Sequence, residues 1–326
     1  MPKKIYFIDS NNHFLFLTKK NRRIALNTRI KIGGLTLKNP ITVASGTAGY
    51  GEEISRFIDI SKIGAIFTKG LSLNPRRGNE GNRIIETPSG VLNSIGLENV
   101  GFKDFIEKKL PFLIGSGAVA IPNIAGHSVD ENIELCRVLS QTEGIDALEL
   151  NVSCPNVKQG GMAFGTDLAV FTDLVEKVRD VTRCCLIVKL SPNVTDITQF
   201  AVRAEEIGAD AISAVNTLLG MKIDIKKRKP YFKNKVAGLS GPAIMPVAVR
   251  IVYQIYDKVK IPIIGMGGIT KVEDVIEFMM AGASAVSIGT GNMIEPSISE
   301  RLTSDLEQYM QRESIASVDE LIGAAH

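Results

Sequence analysis

The sequence predicts an α/β fold of the (β/α)8 TIM-barrel type with an N-terminal hairpin. Short apolar runs alternate with amphipathic stretches along the chain, and no break in composition divides it. The chain has 326 residues, of which 44% are hydrophobic, enough for one barrel domain with a large core. Glycine, asparagine and lysine residues gather where the apolar runs end. In a barrel, these strand ends are where function is located.

The first predicted element of this fold is the hairpin, in which apolar and polar residues alternate from Ile24 to Leu37 around Gly33 and Gly34. We expect it to close one end of the barrel. Eight apolar runs then predict the barrel strands, at Ile41–Ser45, Ala65–Lys69, Ala118–Asn123, Ala147–Val152, Leu186–Leu190, Ala211–Asn216, Pro262–Gly265 and Ala285–Ile288. Amphipathic stretches between them predict helices, among them Asp130–Leu139, Asp167–Val181, Ile197–Ile207, Pro242–Tyr256 and Val272–Met280.

Residues 1–28 are predicted to be an N-terminal extension, and residues 29–326 the barrel domain. The extension holds two apolar runs, Ile5–Ile8 and Phe14–Leu17, with a polar segment between them. This interruption argues against a membrane-spanning helix and against a signal-peptide core. We therefore expect a cytoplasmic protein without membrane contact.

Composition limits the classes of partner. The chain has 38 basic and 35 acidic residues, and this balance of charge does not favour binding to nucleic acid or to a membrane surface. Its four cysteines, Cys136, Cys154, Cys184 and Cys185, follow no metal-binding spacing, and the three histidines lack partners at ligand spacing. We expect a reducing compartment, a small-molecule ligand, and neither a metal nor an iron–sulfur cluster in this chain.

Two glycine-rich segments suggest a phosphate site. Gly265–Thr270 follows the seventh predicted strand and Ser287–Gly291 the eighth, and these are the loops that most often bind phosphate in a barrel. Each could instead be only a tight turn. Neither fits the dinucleotide-binding fingerprint or the P-loop motif, so no nicotinamide site is expected. Their occurrence together favours a phosphate group.

Lys69 and Lys189 each end a predicted strand in apolar surroundings. A buried ammonium group needs a counter-charge, because its desolvation is costly. That charge could come from an anionic cofactor or from a barrel carboxylate such as Glu149. Since two strands show the same pattern, we favour the cofactor. FMN fits, with its phosphate in the glycine loops and a lysine stabilising the reduced ring.

Three asparagines lie at or after predicted strand ends: Asn93 in a loop after strand two, Asn151 in strand four and Asn216 in strand six. An amide group both donates and accepts hydrogen bonds, so a ring of amides complements a cyclic ureide. Asparagine is also common in caps and turns, which is the alternative for any one of them. Their shared position favours a substrate site.

The segment Leu148–Gly165 begins as a buried strand and continues into a loop that contains Cys154. No histidine or aspartate lies nearby in sequence, so proton transfer is favoured over acyl transfer. A structural cysteine is the alternative. The run Asn-Val-Ser-Cys-Pro-Asn-Val-Lys-Gln-Gly-Gly-Met-Ala-Phe-Gly, residues 151–165, resembles the active-site loop of class 1B dihydroorotate dehydrogenases. This resemblance extends over residues 29 to 322.

The resemblance implies roles for individual residues. Cys154 would be the catalytic base. FMN would contact Ser45, Lys69, Gly70, Asn123, Asn151, Lys189, Val215, Gly241, Gly267, Gly268, Gly289 and Thr290. The substrate would contact Lys69, Asn93, Ser94, Ile95, Gly96, Leu97, Asn151, Asn216 and Thr217. The chain departs from the family pattern at Asn79–Arg83, where a proline-bearing stretch is expected, and in its longer leader.

The function that the resemblance implies is oxidation of (S)-dihydroorotate to orotate, with hydride transfer to FMN, in pyrimidine synthesis. It further implies a homodimer of this chain with two electron-transfer subunits that carry FAD and a 2Fe–2S cluster and reduce NAD. One alternative is a dihydropyrimidine dehydrogenase, which shares the Ser-Cys-Pro loop and acts on uracil or thymine. The other alternative is a non-redox phosphate-binding barrel or ligand-binding module.

The segment Lys222–Lys235 is strongly basic, with seven basic residues and one acidic residue. Most such runs are solvated loops. A docking patch for an acidic partner, or a funnel for an anionic substrate, is the other interpretation.

Overall fold

A computed structural model describes residues 24–153 and 164–326, together with the backbone of two short strands, Tyr6–Ile8 and Phe14–Phe16. These two strands pair antiparallel. Residues 24–28 lie against the end of the chain, because Asn27 exchanges main-chain hydrogen bonds with Ala316 and Val318.

The centre of the molecule is a closed parallel barrel of eight strands, as the sequence predicted. Its third strand is interrupted at Pro122, and each half of that strand pairs with a different neighbour, which closes the ring. The barrel strands are Ile41–Val43, Ala65–Phe67, Ala120–Ile121 continued by Asn123–Ile124, Ala147–Asn151, Cys185–Lys189, Ala211–Ala214, Ile263–Gly265 and Ala285–Ile288.

The barrel strands are buried almost completely. Every residue of Cys185–Lys189, Ala211–Ala214 and Ala285–Ile288 is buried. Strands that are covered on both faces read as continuous apolar runs rather than as alternating ones, which is why the sequence indicates them so clearly.

Helices surround the barrel, and all five predicted helices are present. The α-helices are Gly101–Asp104, Leu110–Gly115, Val129–Leu139, Leu168–Val181, Thr198–Ile207, Met245–Tyr256, Val272–Met280, Thr290–Ile294 and Ile298–Glu313. A π-helical turn, Phe105–Lys109, joins the first two, and 3-10 turns cover Ile54–Arg56, Ile60–Lys62, Pro242–Ile244 and Val318–Leu321. Side chains cap two of the α-helices: Ser128 accepts a hydrogen bond from the amide of Glu131, and Asp167 accepts one from Ala169.

The hairpin predicted around Gly33 is formed by Ile30–Ile32 and Leu35–Leu37. The Cys185 thiol donates to the Ile32 carbonyl at 3.4 Å, and Gly33 lies directly against Asp210. Cys185 begins one barrel strand and Asp210 immediately precedes the next. The hairpin therefore covers the amino end of the barrel and leaves the carboxyl end open.

A four-stranded antiparallel sheet, which the sequence did not predict, lies outside the barrel strands. Its strands, in spatial order, are Leu218–Met221, Val236–Ser240, Gly90–Asn93 and Ile84–Thr87. Asn93 is thus the last residue of a strand rather than a loop residue, which corrects the sequence interpretation. Asn93 pairs with Ile84 in a local hairpin and with Gly238, which lies far along the chain, and no local pattern could indicate the second pairing.

The basic segment 222–235 extends from this sheet as a small hairpin, Ile223–Asp224 paired with Lys229–Pro230. Lys233 forms an exposed ion pair of 2.7 Å with Glu80. Among the described residues, no helix is both long and apolar enough to cross a membrane.

Candidate active site

The predicted site residues lie at the carboxyl end of the barrel, opposite the hairpin. Ser45, Lys69, Lys189 and Thr290 end or directly follow different barrel strands. The carboxyl ends of parallel strands meet at one edge, so residues that are distant in sequence share one opening. The structure describes all predicted site residues except Cys154.

Glycines from three loops converge at this opening. A Cβ atom added at Gly268 would lie 2.9 Å from the Gly241 carbonyl oxygen, and one added at Gly241 would lie 3.6 Å from the Thr290 side chain. Gly241, Gly267 and Gly268 all have positive φ, at 95°, 131° and 89°. The positive φ values and the close approach of these loops require glycine.

Gly289 differs from these glycines because it has open space in front of it. An added Cβ would meet only Ala44, at 3.8 Å. Gly289 immediately precedes the short helix Thr290–Ile294, and the buried Thr290 hydroxyl donates to Ser240 at 2.9 Å. Ser45 follows Ala44 and is half-buried beside this helix start.

Lys189 is buried, with its side chain 6% exposed, and its ammonium lies 3.5 Å from Oε2 of Glu149. Glu149 has no exposed surface. Glu149, the barrel carboxylate that the sequence left as the alternative, is therefore a counter-charge for Lys189, and the expected contact of Lys189 with an anionic cofactor stays a prediction. The physical reason is the barrel geometry: Glu149 and Lys189 belong to adjacent parallel strands, so their side chains share the interior. A carboxylate beside it does not prevent Lys189 from also facing a flavin.

Lys69 is also paired, with Glu98 at 3.5 Å, although both side chains keep contact with solvent. Lys69 therefore resembles Lys189 in having a carboxylate beside it, in addition to the cofactor that we expect it to contact. Glu98 further binds Arg83 at 3.0 Å, so its charge is shared between two cations. The Lys69 ammonium retains the exposure it needs to bind an anionic ligand.

Asn123, Asn151 and Asn216 form a chain of side-chain hydrogen bonds. The Asn151 amide nitrogen donates to Asn123 Oδ1 at 3.4 Å, and the Asn216 amide nitrogen donates to Asn151 Oδ1 at 3.2 Å. Asn123 is fully buried, whereas Asn151 and Asn216 are half-buried. The predicted convergence of Asn151 with Asn216 is therefore present in the structure.

The other predicted substrate residues adjoin these asparagines. A Cβ atom added at Gly70 would lie 3.0 Å from Asn123 Oδ1 and 3.7 Å from Leu97. Leu97 has a positive φ of 56°, and the buried Asn99 side chain donates to its carbonyl at 2.7 Å. Asn99 therefore holds the segment Asn93–Leu97 in a conformation that a leucine rarely adopts.

Asn93 and Thr217 meet at Gly238 of the outer sheet. The Asn93 amide donates to the Gly238 carbonyl at 3.4 Å, and the Thr217 side chain packs directly on the Gly238 Cα. Val215, predicted to contact FMN, is buried, and its amide donates to the Met266 carbonyl at 3.2 Å, next to Gly267. The outer sheet thus brings the substrate residues after strands two and six to one place.

Cys154 lies outside the described residues, as does the rest of the segment 154–163. Among the described residues, burial raises the pKa of the Cys136 and Cys185 thiols to about 12 and that of Cys184 to about 11. These three thiols are protonated near neutral pH, so none of them is suited to act as a base. No group of three or more His, Cys, Asp or Glu residues in the described part of the chain is arranged to hold a metal ion.

Sequence reasoning missed four residues that support the site: Glu98, Asn99, Ser213 and Ser240. Each acts through another side chain rather than by its own motif. The Ser213 hydroxyl, for example, donates to the Glu149 carboxylate at 2.6 Å, and the other residues of the Ser213 strand are apolar. Glu149 did have a visible signal, since it is the one charged residue in the apolar run Ala147–Val152.

Known proteins similar to this chain belong to one enzyme family. Residues 27–310 match the model of the dihydroorotate dehydrogenase family. The chain is 50% identical over 301 residues to the catalytic subunit of dihydroorotate dehydrogenase B (NAD(+)) of Desulforamulus reducens, which covers 92% of this chain and 99% of that protein. It is 51% identical over 295 residues to the catalytic subunit of the same name from Trichlorobacter lovleyi, covering 90% of this chain and 97% of the relative. The subunit of that name from Caldicellulosiruptor saccharolyticus is 50% identical over 298 residues, or 91% of this chain and 99% of the relative.

Proposed function

The chain belongs to the dihydroorotate dehydrogenase family, and we propose that it is the FMN-binding catalytic subunit of an NAD-linked enzyme. It is an oxidoreductase that converts (S)-dihydroorotate to orotate in pyrimidine (UMP) synthesis. The geometric observation that carries the proposal is the chain of Asn123, Asn151 and Asn216 at the same barrel end as Lys189 and the converging glycines. These groups complement a ureide and an anionic cofactor.

The described residues fit FMN. The open space in front of Gly289 leaves room for a phosphate group, and the converging loops at Gly241 and Gly267–Gly268 would border it. Lys189 and Asn123 would hold the ring, with Ser45, Gly70, Val215 and Thr290 completing the contacts. When bound, FMN supplies an acceptor for the hydride that leaves C6 of dihydroorotate.

The substrate side is assigned to the chain's own polar groups. Lys69 binds the substrate carboxylate, and the segment Asn93–Leu97 with Asn151, Asn216 and Thr217 binds the ring amides. Cys154 removes the proton from C5 as its thiolate and releases it to solvent afterwards. The proton leaves C5 and the electron pair leaves C6 with the hydride, so orotate gains its double bond.

The partner subunit is part of the proposal. The relatives are named as catalytic subunits of an NAD(+) enzyme, which supports a separate electron-transfer subunit. We assign FAD and a 2Fe–2S cluster to that subunit, and we assign the assembly as a dimer of this chain with two such subunits. In this proposal residues 29–326 are the catalytic domain, residues 1–28 are an extension, and the protein works in the cytoplasm.

The proposal is tested by extracting the cofactor from the purified protein and by adding dihydroorotate without oxygen. We expect one FMN per chain and bleaching of the flavin spectrum. Orotate should bind and uracil should not, since Lys69 requires a carboxylate; the opposite preference would favour a dihydropyrimidine dehydrogenase. A colourless protein that binds no flavin would instead favour a non-redox phosphate-binding barrel.

A further inference from the structure

Glu149 is a buried carboxylate to which the proposed reaction gives no role. Both of its oxygens are occupied: Oε1 accepts from the Ser213 hydroxyl at 2.6 Å, and Oε2 accepts from the Asn123 amide nitrogen at 2.5 Å. Lys189 lies 3.5 Å from Oε2. The carboxylate is fully buried, and it receives donors from three other strands of the barrel.

An ionised carboxylate only accepts hydrogen bonds, and this restricts the orientation of Asn123. The Asn123 side chain must turn its NH2 group toward Glu149, because its oxygen would face a negative charge. Its Oδ1 atom then necessarily points away from Glu149, toward Asn151. Without Glu149, the oxygen and the NH2 group of Asn123 could exchange places, because the two orientations of the amide have nearly the same shape.

The same restriction passes along the chain of amides. Asn123 Oδ1 accepts from the Asn151 NH2 group, so Asn151 must direct its oxygen outward. Asn151 Oδ1 accepts from the Asn216 NH2 group, and it also accepts from the Ser153 amide at 3.1 Å. Asn216 Oδ1 in turn accepts from the Thr217 amide at 2.8 Å. Glu149 therefore fixes the orientation of Asn123, and the main-chain amides of Ser153 and Thr217 hold Asn151 and Asn216 in the orientations that match it.

We propose that Glu149 is a positioning residue: its carboxylate fixes the orientation of Asn123, so that Asn123 Oδ1 accepts from Asn151 and supports the donors and acceptors that Asn151 and Asn216 present to the pyrimidine ring. This inference rests on the proposed function, because it concerns the same substrate. Lys189 places a positive charge 3.5 Å from Oε2 of the buried carboxylate. Glu149 touches neither substrate nor reacting atoms; it acts through the asparagines.

The test compares two substitutions that remove the same charge. Glu149→Gln keeps an acceptor for Asn123, because the Ser213 hydroxyl can turn to accept from the new amide. Glu149→Met removes the acceptor at similar length. Orotate affinity is measured by the change in flavin absorbance on titration, with FMN in excess. We expect Glu149→Gln to bind orotate nearly as the parent does and Glu149→Met to bind it about tenfold more weakly, the loss typical of a charge-assisted hydrogen bond.

Two results would overturn the proposal. Parent-like orotate affinity in both variants would show that the amides keep their orientation without Glu149. An equal loss in both would assign the effect to charge rather than to orientation. Ser213→Ala is the matched comparison, because it removes a hydrogen bond of Glu149 but leaves the acceptor for Asn123, and it should bind orotate more tightly than Glu149→Met does.

A second measurement uses the unsubstituted protein, in case Glu149→Met does not fold. In protein labelled with 15N-asparagine, the signal of the Asn123 side-chain amide is identified by its absence from the Asn123→Ser variant. The hydrogens of this amide should exchange slowly with solvent. Fast exchange of that amide would contradict the proposal. If the unsubstituted protein bound no flavin or orotate at all, the proposed function would fail instead, and the two failures are thereby distinguished.

Discussion

At the scale of single residues, the proposed chemistry depends on the thiol of Cys154. An unperturbed thiol has a pKa of about 8.5, whereas a serine hydroxyl is far more basic. Cys154→Ser should therefore retain FMN but reduce it roughly 10²- to 10⁴-fold more slowly at neutral pH, the usual contribution of a general base. The rate should recover as pH rises. Anaerobic stopped-flow bleaching with dihydroorotate measures both effects, and parent-like bleaching in the variant would mean that another group is the base.

Lys189 is the second residue on which the site depends, and its pairing with Glu149 gives it two roles. Lys189→Ala leaves a buried carboxylate without its counter-charge, which costs about 3–5 kcal/mol of unfolding free energy. We also expect low flavin content or a lowered flavin reduction potential, because the reduced ring loses a nearby cation. Urea denaturation of the flavin-free protein and a potential titration separate the two effects.

The control for this substitution is Lys62→Ala, which removes an exposed ion pair with Glu300 of 2.6 Å and should change stability little. If Lys189→Ala lost stability but kept parent-like flavin content and potential, Lys189 would have only a structural role. If it lost neither, the 3.5 Å pair with Glu149 would carry no measurable energy.

At the scale of elements, the geometry of the glycine loops predicts the effect of Gly289→Ala on stability and on FMN binding. An added Cβ at this position meets only Ala44 at 3.8 Å, so Gly289→Ala should fold with parent-like stability. The new methyl group would nevertheless lie where we place the FMN phosphate, and we expect about tenfold weaker FMN binding by fluorescence titration. Gly34→Ala is the matched control, since nothing lies within 4 Å of its added Cβ. Equal FMN affinity in the two variants would remove Gly289 from the phosphate site.

The outer sheet is the element that completes the proposed substrate side of the site. It joins Gly90–Asn93 to Val236–Ser240 and thereby brings Asn93 to Thr217. The sequence interpretation had only a loop here, because each strand is short and Gly90–Asn93 pairs with Val236–Ser240, which lies far along the chain. Binding residues carried on such a sheet are held by main-chain hydrogen bonds and not by loop conformation alone.

At the scale of the whole molecule, the prediction concerns where the electrons go. The sequence contains no dinucleotide fingerprint and no cluster-binding cysteine pattern. We therefore expect the isolated chain to bleach on dihydroorotate without reducing NAD at a useful rate, and addition of the electron-transfer subunit to restore turnover. Steady-state absorbance of NADH at 340 nm, with and without that subunit, measures this.

Two outcomes would contradict this partner prediction. Robust turnover of the isolated chain with fumarate would indicate a self-sufficient enzyme of the soluble 1A type. Rapid NAD reduction by the chain alone would reveal a nicotinamide site that neither the sequence nor the barrel suggested.

The sequence by itself determined the barrel, the hairpin that precedes its first strand and the identity of the polar residues at the strand ends. These are local properties: apolar runs indicate buried strands, and the chain direction in a parallel barrel places their last residues at one edge. Only the tertiary structure decided how those polar residues pair. The partner of Lys189, the orientation of the three asparagines and the outer sheet all depend on contacts between strands that are distant in sequence, as between Ser213 and Glu149. Because a side chain in the barrel interior faces several strands at once, its partner is selected by strand order and register, which no single segment of sequence contains.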